Sequence, residues 1–361
     1  MTPKEPQGSK PQDPKKSTGK KAPVSPRTRA AATPDRFTVL SFAEYRERRR
    51  RIVMCTAYDA PQARAAAAAG IDVVLVGDSI GTTSFGQPNT LGVTIDDMVR
   101  ATRSVTTAAP ELFVVGDMPF MSWQADHSEG MRNAARLITQ GGAQMVKVEG
   151  ASADTLRLVS DLDDAGIPVM GHVGLTPQSV HAFGGYRAQG KEVDGIVDLL
   201  TDVQQLLQAG VSALVLECIP AEVARQITQM SPVATIGIGA GPDCNGEVQV
   251  FHDLVGLGGD FRPRHARRYV DAAELITQGL RDYAADVRKH RFPAEEQTIH
   301  IDGDVLDDAM VAYVEELVGD LDEFLDDMED DDEDDGEYDG GTYSDGPQLP
   351  HFGGPFGGSL N

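Results

Sequence analysis

The sequence has little cysteine and no long apolar run, and each shortage excludes a class of protein. Only 3 of the 361 residues are cysteine, namely Cys55, Cys218 and Cys244, and no two of them form a C-x-x-C pair. A disulfide scaffold or a zinc knuckle is therefore not expected, and free thiols suit a reducing cytoplasm. No segment approaches the roughly 18 to 20 apolar residues of a transmembrane helix, and the first residues lack the apolar core of a secretion signal. We expect a cytoplasmic protein with no membrane partner.

Lysine and arginine are absent from residues 302–361, and this changes the meaning of the net charge of −24. That acidic C-terminal extension carries a charge of −21, residues 1–34 carry +6, and the middle segment, 35–301, carries −9. A mildly acidic middle segment offers nucleic acid no electrostatic footprint, so we expect no nucleic-acid partner. The Pro, Ser and Lys composition of residues 1–34 predicts a disordered basic leader.

The middle segment, 35–301, alternates short β-branched runs with longer alanine-rich stretches of helical period. This alternation is typical of βα units that build a parallel sheet in an α/β fold. Eight runs give about 33 residues per unit, which favours a (β/α)8 barrel of the TIM type. An open doubly wound sheet is the alternative, although the first run lacks the usual phosphate-binding glycine turn. The runs are 52–56, 72–78, 112–117, 144–150, 167–173, 213–218, 234–241 and, with the weakest pattern, 248–257.

A charged or titratable residue closes each run from the second to the sixth. These residues are Asp78, Asp117, Glu149, His172 and Glu217. Each is separated from the next by about one βα unit, so they belong to successive strands. Because the carboxyl ends of barrel strands point to the face where active sites are built, we expect the five side chains to converge there.

Three of the five are acids that suit a hard cation. Magnesium prefers oxygen ligands and is usually held by a few carboxylates together with oxygens of the substrate. We therefore predict that Asp78, Asp117 and Glu149 form a Mg²⁺ site. The alternative is that each acid merely caps the helix that follows it.

The remaining groups have two interpretations each. Lys147 points to the same side of its strand as Glu149 and must pair with an anion, either a substrate carboxylate or enolate or the neighbouring acids. Glu217, if partly shielded, suits a general base, and a buried structural glutamate is the alternative. His172 either donates a hydrogen bond to substrate or is a satisfied core histidine.

Several longer motifs stand in order along the middle segment, beginning with TAYDAPQA at 56–63 and ending with FPAEE at 292–296. Between them lie VGDSIG at 76–81, GDMPF at 116–120, VKVEG at 146–150, GHVGLTPQSVHAFGGYRAQGK at 171–191 and LECIPAEVA at 216–224. From about Phe37 to Ile301 the chain thereby resembles the ketopantoate hydroxymethyltransferases, also called 3-methyl-2-oxobutanoate hydroxymethyltransferases, of pantothenate biosynthesis.

The resemblance implies a Mg²⁺-dependent transfer of a hydroxymethyl group from 5,10-methylenetetrahydrofolate to 3-methyl-2-oxobutanoate, giving 2-dehydropantoate on the route to coenzyme A. Mg²⁺ would polarise the keto acid and stabilise the enolate formed when the proton leaves C3, and the enolate carbon would attack the folate methylene. The family typically forms decamers from pentameric rings, so the resemblance also implies a homo-oligomer.

The resemblance also assigns roles to individual residues by motif match. It implies metal-site acids at Asp78, Asp117 and Glu149, keto-acid contacts at Asp78, Ser79, Asp117 and Lys147, a proton acceptor at Glu217 and a further substrate-binding group at His172. A rival enzyme class, the isocitrate lyase and phosphoenolpyruvate mutase group, resembles this family in barrel type and metal-binding acids. Its isocitrate-cleaving members carry a KKCGH motif that is absent here.

The acidic extension, 302–361, contains two different kinds of sequence. Apolar residues recur at intervals of three and four over 307–328, which predicts an amphipathic helix. The acidic run that follows predicts disorder. We expect the helix to fold back on the barrel or on a neighbouring subunit, and binding of a separate basic partner is the alternative.

Overall fold

The structure is a computed structural model that describes Thr2, residues 36–259 and residues 263–330, with side chains described to residue 325. The predicted disordered leader, 1–34, apart from Thr2, and the acidic sequence after residue 330 lie outside the described residues. The chain divides into two compact units, Met1–Gly279 and Leu280–Asn361.

The first unit contains a closed barrel of eight parallel strands that follow one another around the barrel in chain order. This arrangement confirms the predicted (β/α)8 barrel and excludes the open sheet. The strands are β1 Ile52–Thr56, β2 Val73–Val76, β3 Phe113–Asp117, β4 Met145–Glu149, β5 Val169–Gly174, β6 Ala213–Glu217, β7 Ala234–Ile238 and β8 Gly246–Gln249. Strands such as β2, β3 and β4 are buried on both faces, which explains why they appear in the sequence as continuous apolar runs.

The last strand lies earlier than the sequence predicts. We expected it within 248–257, but β8 ends at Gln249 and a short helix follows it. The strand begins at Gly246, where a Cβ would lie 2.6 Å from the carbonyl oxygen of Ile52 on β1. Glycine permits this close approach and gives the strand no apolar signal, so the pattern was assigned to the helical residues beyond it.

Helices connect most of the strands of the barrel, and further helices follow the last strand. Several begin with a side-chain cap, such as Asp59, whose carboxylate accepts the backbone N–H of Gln62 at 2.8 Å. The helices are α1 Val39–Glu47, α2 Ala60–Ala68, α3 Ile80–Thr83, α4 Ile95–Ala108, α5 His127–Thr139, α6 Ala153–Asp164, α7 Val193–Ala209, α8 Ala221–Met230, α9 Phe251–Val255, α10 Ala272–Arg288 and α11 Gly303–Asp330. Short 3-10 turns lie at Pro177–Ser179 and Glu295–Gln297.

The barrel interior has an apolar layer at one end and a charged layer at the other. Alternate residues of a strand point inward, and in β3 these are Phe113, Val115 and Asp117. Phe113 packs edge-to-face against Phe37 and Phe42, each at a ring-centroid distance of 5.6 Å. The aromatic cluster fills the end of the barrel where the strands begin, so the charged ends of the strands line the opposite opening.

In the second unit, α11 occupies the region where the sequence predicts an amphipathic helix over 307–328. Its apolar side chains are about half exposed, among them Met310, Val314, Leu317, Leu321 and Phe324. Among the described residues, no helix combines the length and the apolar composition needed to cross a membrane.

Candidate active site

The three predicted metal-binding acids come together where β2, β3 and β4 end. One carboxylate oxygen from each of Asp78, Asp117 and Glu149 lies within 4.8 Å of the other two, and all three residues are buried. None of them caps a helix, because the helices after β3 and β4 are capped by Asp126 and Ser152 and the N-cap of α3 is Ser79. The capping alternative therefore fails for the whole set.

Lys147 lies among these acids as their counter-charge. Its side chain is only 4% exposed, and its Nζ is 2.9 Å from Asp117 Oδ1 and 3.3 Å from Glu149 Oε1. Burial alone would lower the pKa of this lysine, but Asp117, Glu149 and Asp78 outweigh burial and raise it. The ammonium group is therefore held in its charged form inside the barrel.

One ammonium does not balance three buried carboxylates. Burial, followed by the charges of Asp117 and Glu149, raises the pKa of Asp78 well above its usual value. Burial raises the pKa of Asp117 to about 6 even though Lys147 opposes the shift. A cluster of hard oxygen donors with excess negative charge is the environment that a small divalent cation prefers. The residues present thus fit Mg²⁺.

His172 lies between this cluster and Glu217. Its Nδ1 is 3.3 Å from Glu149 Oε1 and 3.4 Å from Lys147 Nζ, and its Nε2 is 3.3 Å from Glu217 Oε2. The contact with Glu217 is within ion-pair range but lacks hydrogen-bond geometry. Burial and Lys147 lower the pKa of the ring, yet Glu149 and Glu217 outweigh both and raise it to about 9. The histidine is therefore tied to acids on both sides.

Glu149 is the most strongly stabilised anion of the group. Burial raises its pKa, but Lys147 and His172 outweigh burial and lower the pKa to about 2. Glu217, at the end of β6, is more accessible, with 16% of its side chain exposed. The cluster thus contains buried groups at one side and one partly exposed carboxylate, Glu217, at the other.

Ser79 and two tyrosines complete the surroundings of the acids. Tyr58 is buried after β1, and its hydroxyl lies 2.8 Å from Ser79 Oγ, so it fixes the orientation of the serine. Tyr186 is 55% exposed, and partial burial followed by the negative charges of Asp78, Glu217 and Glu149 raises its pKa. Both tyrosines lie in the motifs quoted from the sequence, but no spacing rule singled them out.

Gln178 is a third residue that sequence reasoning missed. It lies in the 3-10 turn after β5 and contacts both Asp78 and Glu149. An amide carries no charge and does not titrate, so a search for acids, bases and metal ligands passes over it. The structure therefore brings together Asp78, Asp117, Lys147, Glu149, His172 and Glu217 and adds Gln178 to them, while Ser79, next to Asp78 in the chain, contacts Tyr58.

Comparison with known proteins finds a matching family and closely similar relatives. The family model described as ketopantoate hydroxymethyltransferase matches residues 36–295. A 3-methyl-2-oxobutanoate hydroxymethyltransferase of Carboxydothermus hydrogenoformans is 44% identical over 273 residues, which cover 76% of this chain and 99% of that protein. The enzyme of the same name from Syntrophomonas wolfei subsp. wolfei is 46% identical over 274 residues, covering 75% and 98%.

Among solved structures, a phosphoenolpyruvate phosphomutase from Streptomyces platensis subsp. rosaceus is 14% identical with a TM-score of 0.48, and the match covers 81% of this chain and 98% of that one. A 2,3-dimethylmalate lyase is 17% identical with a TM-score of 0.47, covering 77% and 98%. The family model and the relatives above 40% identity decide the assignment. The chain belongs to the ketopantoate hydroxymethyltransferase family.

Proposed function

We propose that this protein transfers a one-carbon unit from 5,10-methylenetetrahydrofolate to 3-methyl-2-oxobutanoate and so forms 2-dehydropantoate in the cytoplasm. With the methylene carbon supplied by the folate, one water supplies the hydroxyl group, and tetrahydrofolate is the second product. Family membership supports the reaction, and one observation in the site carries it. A buried set of acids suited to a cation is joined through His172 to an accessible carboxylate, Glu217.

The site for Mg²⁺ would be formed by Asp78, Asp117 and Glu149. Their oxygens already converge, and their combined negative charge is larger than the single positive charge of Lys147 beside them. When bound there, Mg²⁺ supplies Lewis-acid polarisation of the carbonyl of the keto acid.

Glu217 would remove the proton from C3 of the keto acid. Its carboxylate is reachable from outside, unlike the acids behind it, and the His172 ring beside it holds it in place. A positioned carboxylate of this kind contributes roughly 10² to 10⁴ to a rate as a general base. The resulting carbanion carbon then bonds to the methylene carbon of the folate as one of the two C–N bonds to that carbon breaks. Water then displaces the second folate nitrogen, which supplies the hydroxyl group and releases tetrahydrofolate.

Lys147 and Ser79 would contact the oxygens of the keto acid. The buried ammonium of Lys147 would stabilise the negative charge that develops on the keto acid when the proton leaves C3. It would not have to move to do so, because Asp117 and Glu149 already fix its position. Ser79 offers a hydroxyl whose direction is set by Tyr58. His172 would orient Glu217 and Glu149 with respect to each other.

The direct test is to incubate the purified protein with 3-methyl-2-oxobutanoate, 5,10-methylenetetrahydrofolate and Mg²⁺ and to follow 2-dehydropantoate by mass spectrometry. Product should form with all three present and should fail to form when the folate or Mg²⁺ is omitted. Absence of product with a protein that is folded and binds Mg²⁺ would contradict the proposed reaction.

We also propose that the protein is a homo-oligomer, for which a decamer is the expectation from the family. Light scattering of the purified chain measures the mass of the assembly. A monomeric mass would contradict this proposal.

A further inference from the structure

We infer that Gln178 is a positioning residue that holds Asp78 and Glu149 in the orientation that a divalent cation requires. This inference deepens the proposed function and rests on it. Gln178 lies in the turn Pro177–Ser179 directly after β5 and is 7% exposed. The turn is closed by the N–H of Ser179 donating to the carbonyl of Thr176 at 2.9 Å.

Gln178 contacts acids that come from two other strands. Its side-chain Nε2 donates to Asp78 Oδ2 at 2.9 Å, and its backbone N–H donates to Glu149 Oε2 at 3.2 Å. Asp78 follows β2 and Glu149 ends β4, so one residue after β5 fixes carboxylates on both sides of β3. Each bond occupies one oxygen of its carboxylate and thereby sets the direction of the other oxygen.

Asp78 depends on this contact more than the other acids do. Among the described residues, the amide of Gln178 donates the only hydrogen bond that the Asp78 carboxylate receives. Asp117 accepts the N–H of Asp78 at 3.3 Å and is also paired with Lys147. Glu149 is held by Lys147 as well as by Gln178. Loss of the amide would therefore free Asp78 and leave the other two acids in place.

The orientation of the Gln178 amide is fixed by its neighbours. Nε2 also donates to the backbone carbonyl of Met118 at 3.0 Å, so both of its N–H groups point at acceptors. A flipped amide would place Oε1 against a carboxylate and a carbonyl, which repel it. In the orientation present, Oε1 is buried without a hydrogen-bond partner. An unpaired buried acceptor disfavours folding. The contribution of this amide therefore comes from the hydrogen bonds that its Nε2 donates to Asp78 and to the carbonyl of Met118.

A merely structural role, in which Gln178 anchors the turn after β5, predicts something different. It predicts that substitution lowers the melting temperature and leaves the affinity of the folded protein for a cation unchanged. A positioning role predicts a weaker affinity for Mg²⁺ in protein that is still folded. Partners that orient metal ligands typically change metal affinity by 10- to 100-fold when they are removed.

The test uses full-length Gln178→Met, which keeps the length of the side chain and removes both N–H bonds of the amide, while the backbone N–H that donates to Glu149 remains. Mg²⁺ is titrated by calorimetry without substrates, and melting curves are recorded without metal. The matched control is Gln144→Met, because the Gln144 amide oxygen accepts the N–H of Val114 at 2.8 Å at the start of β3, away from the acids. We expect a Kd for Mg²⁺ at least 10-fold higher in Gln178→Met and an unchanged Kd in the control.

Two further variants keep the inference testable. If Gln178→Met does not fold, Gln178→Asn retains an amide but shortens its reach, and it should show the same loss of affinity. In an Asp78→Ala background, Gln178→Met should have no additional effect on the residual affinity, since the amide acts through Asp78. An unchanged Kd in the folded single variants, or a wild-type protein that binds no Mg²⁺, overturns the inference.

The two proposals fail separately. A wild-type protein that binds Mg²⁺, weakens its binding on substitution of Gln178 and makes no 2-dehydropantoate contradicts only the proposed reaction. A wild-type protein that makes the product while Gln178→Met binds Mg²⁺ normally contradicts only the role of Gln178.

Discussion

Lys147 and Asp117 stand directly opposite each other in the register of β4 with β3, and Lys147 Nζ lies 2.9 Å from Asp117 Oδ1. Strand pairing therefore brings the two charges together, without help from a loop. In the next pair of strands, Glu149 stands opposite His172 in the same way. The charged layer of the barrel is thus built from residues that the backbone hydrogen bonds already align.

Replacement of Lys147 by methionine should destabilise the metal-free protein. The variant leaves three buried carboxylates without their ammonium, and the loss of one partner from a buried ion pair costs about 3 to 5 kcal/mol. Added Mg²⁺ should restore part of the lost stability, because a cation replaces the missing charge. Thermal melts with and without Mg²⁺ measure both effects. Arg225→Met is the control, since its ion pair with Asp243 is on the surface and should contribute little.

Asp78→Ala and Asp117→Ala should each weaken Mg²⁺ binding and abolish most of the transfer activity. Each variant removes one of the three carboxylates of the proposed metal site, which has few oxygen donors. Calorimetric titration of Mg²⁺ and a product assay test the two effects. Asp161→Ala is the matched control, because Asp161 pairs with His127 away from this site. Unchanged Mg²⁺ affinity in both site variants would show that the acids do not hold the metal.

Much of the barrel could be predicted because its strands are buried on both faces. The first run, 52–56, coincides with β1, and the second to seventh runs each overlap one strand, of which only β5 extends past its run, by one residue to Gly174. The same burial made the candidate site residues recognisable in the sequence. A charged side chain at the end of a buried apolar strand is costly, so its presence there indicates a functional role. Asp117, Lys147 and Glu149 follow directly from strand alternation.

The remaining features depend on contacts between distant segments. Strand β8 begins at a glycine and contains Glu247 and Gln249, so it has no apolar pattern of its own and is defined by pairing with β1 and β7. Gln178 is separated by 100 residues from Asp78, and only the folded turn after β5 brings them together. Tyr58 likewise acquires its role through a contact with Ser79 from the next strand.

Glu217→Gln should retain binding of the keto acid and lose roughly 10² to 10⁴ in rate, because the amide preserves shape and removes the base. Exchange of the C3 hydrogen of 3-methyl-2-oxobutanoate for deuterium, followed by NMR without folate, reports this step alone. Exchange at the wild-type rate in the variant would mean that another residue takes the proton.

Gly174→Ala should disturb the position of Glu217. Gly174 has φ of +96°, and a Cβ there would lie 2.3 Å from the carbonyl oxygen of Glu217. Gly166→Ala is the control, with φ of +78° but no atom within 4 Å of the added Cβ. Both should lose about 1 to 2 kcal/mol of stability from the left-handed backbone. We expect only Gly174→Ala to slow C3 exchange as well, and equal exchange rates in the two variants would contradict this.

Tyr58→Phe should raise KM for the keto acid by about 2- to 10-fold, since the loss of one hydrogen bond frees Ser79. Tyr45→Phe is the control, because the Tyr45 hydroxyl donates to Asp72 outside the site at 3.2 Å. Steady-state kinetics should show little change in KM for the control. A KM for Tyr58→Phe equal to that of the control would show that the orientation of Ser79 does not matter.

The exposed turn at Gly166 divides the chemistry of the barrel between two halves of the chain. Before it lie the three acids and Lys147, and after it lie His172, Gln178 and Glu217. A fragment ending at this turn would keep the three acids without Glu217, and the complementary fragment would keep Glu217 without them. The charged layer is therefore complete only when both halves of the chain have assembled into the closed barrel.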